Sequence, residues 1–360
     1  MRTPPVALDN RARDRLSAPC RRAPNDGLSA RPSGTCGTSV RGSDLIRQSE
    51  RMATWDLAQT SDEAADRVGR LIEGLWVLAA VVRRSRSDED LDAAIEGVLV
   101  ASGLATRASD GRVVLARGIA DLLAQGGHAF GESIVSTMGQ AIEAAKGSAA
   151  DSGWNADDDT LLAQGRASAA AGGLLATTVA SQLPGLSDRL AQPGAAVLDV
   201  GTGVAELACA LAEALPSVQV VGIDVLERAL SLADRTITEH GLVDRVRLRL
   251  QSVADVTEPG TYELVWLPLI FIPPNVVREA LPALHASLRP GGWLVASVGR
   301  VQGSPLAVAV KMWQTQLASG TALTPEQATQ LLRDHGFADV MVVDTPSGLP
   351  TLVAGRHTSS

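Results

Sequence analysis

The chain has 360 residues, 45% of them apolar and 20% charged, as in an ordinary soluble globular protein of about two domains. Lys and Arg number 32 against 40 Asp and Glu, a net charge of −8, and an acidic chain is a poor partner for nucleic acid or an anionic membrane. Three cysteines exclude a disulfide scaffold and offer no paired metal-ligand spacing, and the longest strongly apolar run, Leu71 to Val82, falls far short of the roughly 20 residues of a membrane span.

Residues 1–51 hold ten arginines and five acids, a net charge of +5 that leaves −13 for residues 52–360. The segment is rich in Pro, Ser, Gly and Thr, shows no hydrophobic period and lacks the apolar stretch of a secretory signal. It cannot bury enough apolar surface to offset its ordering entropy, so a disordered basic tail is expected. The functional protein is expected to start near Met52, where helical patterning begins.

Residues 52–160 read as a helical domain with one hairpin. A helix starts at Ser61 with Asp62 and Glu63 as first-turn acids, and Ala65, Val68, Leu71, Ile72, Leu75 and Leu78 recur at helical spacing. Over Leu71–Val82 the stripe widens, so this helix is expected to be buried on most sides. A second helix opens at 87–90, presents Leu91, Ala94, Ile95, Val98 and Leu99, and stops at Gly103. Asp110-Gly111 between two short apolar runs signals a hairpin. Helix, helix, hairpin resembles a winged-helix unit. With an acidic balance it reads as an interaction domain rather than a DNA reader, and its broad apolar face suggests a homodimer. A further helix is expected over roughly 130–146, followed by a loop rich in Asp and Gly.

The chemistry is concentrated in the domain expected over 161–360. Ala-Ala-Val-Leu-Asp-Val-Gly-Thr-Gly-Val-Ala (195–205) reads as a strand, an acid, a glycine turn and the start of a helix. Gly201 and Gly203 let the backbone approach a ligand, and the helix behind them presents free N–H groups. A second strand over 218–223 ends in Asp224, about twenty residues on, where an acid can accept hydrogen bonds from both hydroxyls of a ribose. This is a βαβ unit built for an adenosine-type ligand. The third glycine of a dinucleotide site is missing, and Asp199 immediately before the turn would repel a pyrophosphate but suits a cationic amino-acid end.

Val-Leu-Asp-Val-Gly-Thr-Gly-Val-Ala resembles the first motif of class I S-adenosylmethionine-dependent methyltransferases. The resemblance implies a doubly wound, Rossmann-like α/β fold with a seven-stranded, mostly parallel sheet whose last strand is antiparallel. It implies S-adenosylmethionine as cofactor, with Asp199 toward the methionine ammonium, Gly201 and Gly203 along the methionyl and ribose part, Ala205 in place of the third glycine, and Asp224 on the ribose. Val225, Ser252 and Val253 complete the candidate cofactor set; an adenine contact after the third strand (245–251) falls to Ser252 or, shifted, to Asp255. Strands over 262–268, 288–295, 339–344 and 351–356 continue the match, with a capped helix over 323–337 between them. The layout also resembles small-molecule O-methyltransferases with an N-terminal winged-helix-type dimerisation domain, in which a helix before the core touches the cofactor. Here that helix holds Gln164, Arg166 and Ser168, of which Gln164 is the cofactor candidate.

Methyl transfer from a sulfonium is an in-line displacement, so alignment and exclusion of water dominate, and a general base is needed only when the acceptor must lose a proton. Many related enzymes place a histidine after the fourth strand; this chain has the wholly apolar Trp-Leu-Pro-Leu-Ile-Phe-Ile-Pro-Pro (266–274) there. Trp266, Leu267, Pro268 and Phe271 are expected to line an acceptor pocket, with Trp313 and Met312 capping it. Of the five histidines only His128, read as part of a loop between the domains, is a candidate base by location. The expected activity is methyl transfer to a small, largely apolar molecule, at oxygen, in the cytoplasm, without a metal. A nucleic-acid methyltransferase and a non-catalytic cofactor-binding assembly protein are the alternatives.

Overall fold

The computed structural model describes residues 60–87, 91–146, 157–299, 304–345 and 350–358; the basic segment 1–51 and the expected start at Met52 lie outside the described residues. Helix α1 (Ser61–Ser85) begins where the sequence signals it, with its N-cap on Thr60. The Thr60 hydroxyl accepts from Glu63 N–H and the Glu63 carboxylate accepts from Thr60 N–H, both at 3.2 Å, a reciprocal cap.

The expectation that α1 is buried on most sides is overturned. Val68, Leu71, Ile72, Leu75 and Trp76 are exposed, Trp76 by 70%, and only Ala80, Val81 and Val82 are buried. The helix is 25 residues long, about 37 Å, and the elements that follow cover its last turns only. Those elements are α2 (Ala93–Ala101), the antiparallel hairpin of β1 (Ala105–Arg107) and β2 (Val113–Leu115), and α3 (Arg117–Ala145). Leu99, Ala105, Val81 and Ala80 form their small core, with Phe130 and Ile134 of α3 against it.

Helix α3 runs through the region read as a loop and a shorter helix. Gly127 takes φ 49° and kinks α3 without ending it, so His128 lies on a helix and not in an inter-domain loop. Glu132, one turn on, is wholly buried. It accepts from Arg86 beyond α1 at 2.6 Å and from Arg166 at 2.7 Å on α4 (Asp158–Leu174). Burial pushes the Glu132 carboxyl up, but the Arg166 and Arg86 guanidiniums outweigh it and hold it below the usual range. One carboxylate thus joins α1, α3 and α4. A single turn of wider helix (Leu175–Val179) carries α4 onward to Gln182, and the short α5 (Leu186–Leu190) leads into the sheet.

The remaining elements alternate strand and helix: β3 (Ala196–Val200), α6 (Glu206–Ala214), β4 (Gln219–Asp224), α7 (Glu227–Glu239), β5 (Val246–Leu250), β6 (Tyr262–Pro268), α8 (Pro274–Ser287), β7 (Leu288–Val298), α9 (Pro305–Leu317), α10 (Pro325–Asp334), β8 (Ala338–Val343) and β9 (Thr351–Arg356). Seven strands form one sheet in the order β5-β4-β3-β6-β7-β9-β8. The pairings from β5 to β7 are parallel, and β9 runs antiparallel to both its neighbours. This is the doubly wound fold expected from the sequence.

Successive residues of the central strands face opposite layers. Val197, Leu264, Trp266, Trp293 and Val295 join the core beneath α6 and α7, while Leu198, Val265, Leu267, Leu294 and Ala296 join the one beneath α8 and α10. Burial on both faces is why these strands read as continuous apolar runs. The chain winds from β3 outward through β4 and β5, then returns to the other side of β3 with β6. The crevice beyond the carboxyl end of β3 is therefore the switch point where such sheets bind ligands.

Candidate active site

At that switch point β3 ends in Asp199 and Val200, and the chain turns through Gly201-Thr202-Gly203 into α6. Gly201 and Gly203 take φ of 66° and 56°. Ala205, the N-cap residue of α6, also takes a positive φ, 65°, at a cost of about 1–2 kcal/mol for a residue with a Cβ. Side-chain volume is tolerated at this third small position; the left-handed backbone of the motif is retained. The turn is fastened to β4, with Gly201 N–H and Thr202 N–H both donating to Ile223 C=O.

Both acids converge on this turn. Asp199 is 1% exposed and accepts from the Thr202 hydroxyl at 2.7 Å. Asp224, at the end of β4, accepts from Gly203 N–H at 2.9 Å and from Leu226 N–H at 2.9 Å. Burial raises the Asp199 carboxyl to about 7, against the Thr202 hydrogen bond, and the neighbouring Asp224 charge pushes the same way. Burial likewise raises Asp224, opposed by its backbone donors. Among the described residues neither acid has an ion-pair partner. Two buried carboxylates without a cation make a site whose electrostatics favour a positively charged ligand.

Thr202 was not singled out by the sequence. Its side chain lies on Gly222 of β4, where an added Cβ would come within 2.7 Å of the Thr202 oxygen. A glycine inside a strand marks such a close approach, and that was the available signal.

The other cofactor candidates are spread along the same edge. Val225 is exposed directly after Asp224. Ser252 caps the short turn Val253–Asp255, its hydroxyl accepting from Ala254 N–H; Val253 is buried and Asp255 is exposed. Gln164 is half-buried on α4, beside Gly165, which meets Val204 of the turn. Its two neighbours in the sequence argument are committed elsewhere: Arg166 to Glu132, and the Ser168 hydroxyl to Gly165 C=O.

The residues expected to line an acceptor pocket are not gathered in one place. Trp266 and Leu267 are buried in the two core layers, because adjacent strand residues face opposite sides of a covered sheet. Pro268 ends β6 with its Cγ 3.7 Å from where a Cβ on Gly201 would stand, so it adjoins the glycine turn. Phe271 is half-buried in the turn Leu269–Phe271 that follows. Thr321, missed by the sequence reading, holds this loop: its N–H donates to Leu269 C=O at 2.8 Å and its hydroxyl to Ile272 C=O at 2.7 Å. Met312 and Trp313 are exposed on α9 rather than closed over a cavity, because they lie off the face of that helix that buries Thr315. His128 faces Glu132 of its own helix at 3.6 Å, within the Arg86–Glu132–Arg166 cluster and not at the sheet edge.

Asp199 makes the site pH-sensitive. Its folded value lies above the ordinary 3.8, so the ligand-free fold is most favoured below about pH 4 and loses stability as pH rises toward 7. A cationic ligand selects the ionised form and must expel the proton below pH 7. Affinity for such a ligand should therefore fall as pH drops from 8 to 5, approaching tenfold per pH unit, with proton release visible by calorimetry in buffers of different ionisation enthalpy. Asp199→Asn should be weak at every pH and show no such slope; a wild-type affinity that is flat across this range would count against the pairing.

Residues 197–292 match the family described as Methyltransferase domain. Over 194 residues the chain is 28% identical to release factor glutamine methyltransferase of Geobacter sulfurreducens, covering 47% of this chain and 60% of that protein. The chain spans between 30% and 60% of the length of the curated relatives it matches. An O-methyltransferase family protein from Burkholderia thailandensis superposes with a TM-score of 0.59 at 19% identity, over 84% of this chain and 99% of that one. Human N-acetylserotonin methyltransferase in complex with SAM gives a TM-score of 0.55 at 13% identity, over 84% and 100%.

Proposed function

We propose that this chain, which carries a class I S-adenosylmethionine-dependent methyltransferase domain at residues 197–292, transfers a methyl group to a small, largely apolar molecule, at oxygen. The observation that carries the reading is the pair of buried acids, Asp199 and Asp224, gathered on one glycine turn without a basic partner among the described residues. S-adenosylmethionine, bound there, supplies a methyl group already activated on a sulfonium. Asp199 would hold the cationic amino-acid end and Asp224 the ribose, with Gly201 and Gly203 giving the backbone its close approach. Ala205, Val225, Ser252, Val253 and Gln164 remain in the proposed cofactor set by position. Pro268 and Phe271 would bound the acceptor side, where an apolar wall excludes water and aligns the nucleophile.

A small acceptor is favoured by the wholly apolar Leu267–Ile272 segment, which offers no side chain to hold an amide. The second reading, a protein glutamine side chain, is favoured by the sequence relatives, whose names state that activity. Methyl-labelled cofactor incubated with phenols, apolar carboxylic acids, amines and a glutamine-bearing protein separates them. Label in a phenol or carboxylic acid is expected; label in the protein alone would favour the second reading, and cofactor binding without any transfer an assembly role.

We also read residues 60–145 as a winged-helix-like dimerisation module, because the exposed face Val68-Leu71-Ile72-Leu75-Trp76 is one continuous helical stripe with no cover among the described residues. Light scattering should find a homodimer, and Trp76→Glu should give a folded monomer; an unchanged dimer would remove α1 from the interface. A cytoplasmic location suits this chemistry, and no helix among the described residues is long and apolar enough to cross a membrane.

A further inference from the structure

We propose that Lys311 is the base that takes the proton from the acceptor's hydroxyl, an inference that rests on the methyl-transfer reading. The chain has only two lysines, Lys146 and Lys311, and they stand in opposite surroundings. Lys146 is exposed at the end of α3, with Glu143 at 2.6 Å. Lys311, on α9, is half-buried. Its stem covers Gly299, just past β7: a Cβ added there would meet Lys311 Cε and Ile270 Cγ2, each at 3.4 Å.

That location is the acceptor side of the switch point. Ser297 of β7 pairs with Pro268 of β6, so Gly299 and Ile270 lie level, two residues beyond the paired strand ends. Pro268 in turn adjoins the Gly201 turn. The loop carrying Ile270 is anchored by both polar groups of Thr321, so the surroundings of Lys311 are built by fixed backbone.

The groups around the amine carry no compensating charge. Among the described residues, the loop Leu269–Ile272, the strand end Ser297–Gly299 and the rest of α9 hold no other ionisable side chain. Lys311 has no hydrogen bond or ion pair from its ammonium among the described residues. Burial lowers the ammonium below the usual lysine range, which raises the share of free amine near neutrality.

The step balances without a further reactant. The free amine accepts the acceptor's O–H proton. An oxygen lone pair forms the O–CH3 bond while the S–CH3 bond breaks, its electron pair remaining on sulfur as a neutral thioether. The Lys311 ammonium then returns its proton to water.

Competitive acetylation of the full chain across pH 6 to 11, read by mass spectrometry, uses Lys146 as the internal reference. Lys311 should become reactive at a lower pH than Lys146, and S-adenosylhomocysteine with a phenol should protect it. Equal midpoints would overturn the assignment. Lys311→Met should bind the cofactor as the wild type does, while kcat/KM for phenols falls roughly 100-fold or more and its rise with pH shifts toward the phenol's own ionisation. Carboxylic acids, ionised already, should lose little. A loss greater for carboxylic acids than for phenols would make Lys311 a cationic anchor and overturn the base role, as would unchanged transfer to phenols. Failure of the wild type to methylate any of these acceptors would remove the methyl-transfer reading and the assignment with it.

Discussion

Asp224→Ala should weaken S-adenosylmethionine binding by roughly 100-fold, more than any other single change at the glycine turn. The carboxylate has two tasks there. It accepts from Gly203 N–H and Leu226 N–H, each at 2.9 Å, and so ties the turn after β3 to the turn after β4. Its remaining lone pairs are the ones proposed to meet the ribose hydroxyls. A hydrogen bond to a charged group contributes about 1.5–3 kcal/mol, and losing the ribose pair together with the preset turn gives about 3 kcal/mol, or two orders of magnitude in Kd. Asp224→Asn keeps one acceptor oxygen, and its amide can satisfy only one of the two backbone donors, so a loss of about tenfold is expected. The measurement is titration calorimetry at pH 8, where Asp199 is ionised, with a thermal melt to verify that each variant folds. A folded Asp224→Ala protein with unchanged affinity would remove the ribose assignment.

The glycine turn was legible because what shapes it is local. An acid, two glycines at positive φ and a helix start lie within eight residues, and β4 returns Asp224 to the same turn. The sheet was legible because strands covered on both faces cannot hide their apolar runs. Burial of α1 was not legible. Val68, Leu71 and Trp76 have the spacing of a core helix, but a spacing cannot say whether a neighbour arrives to cover it. His128 was misplaced because Gly126-Gly127 reads as a loop, whereas a single positive φ kinks α3 and lets it continue. The acceptor side was hidden by distance along the chain. Thr321 reaches Ile272 across 49 residues, and Lys311 and Ile270 come from distant parts of the chain to the same glycine, Gly299, with nothing in either local sequence to announce it. Polar residues that act through remote backbone are the ones a one-dimensional pattern misses.

Two adjacent glycines on α4 should respond to the same substitution with opposite signs. A Cβ on Gly172 would meet Leu207 C=O of α6 at 2.4 Å and Ala210 Cβ and Leu211 N at 3.1 Å. The first of these is helix backbone, which cannot swing aside as a long side chain can, so the two helices must separate. A Cβ on Gly165, seven residues earlier on the same face, would overlap Val204 Cγ2 and crowd Glu206 Cγ at 3.3 Å, so the pair forms a seam along which α4 and the start of α6 touch. Gly173 has nothing among the described residues within 4 Å of its Cβ position. Gly172→Ala should cost about 1–3 kcal/mol by overpacking, and Gly172→Val about 3 kcal/mol or more. Gly173→Ala should gain about 0.5–1 kcal/mol, because alanine is the better helix former and meets no neighbour. At about 1.3 °C per kcal/mol for a chain of this length, calorimetry should show Gly172→Val melting roughly 4 °C or more below the wild type and Gly173→Ala slightly above it. The separation also moves the first turn of α6, which carries Glu206 and follows the Gly201–Gly203 turn directly. Gly172→Ala should therefore weaken cofactor binding out of proportion to its stability loss, whereas Gly173→Ala should leave it unchanged. Equal effects of the two alanines on melting would mean that the seam closes by some other adjustment, and that α4 does not set the position of the turn.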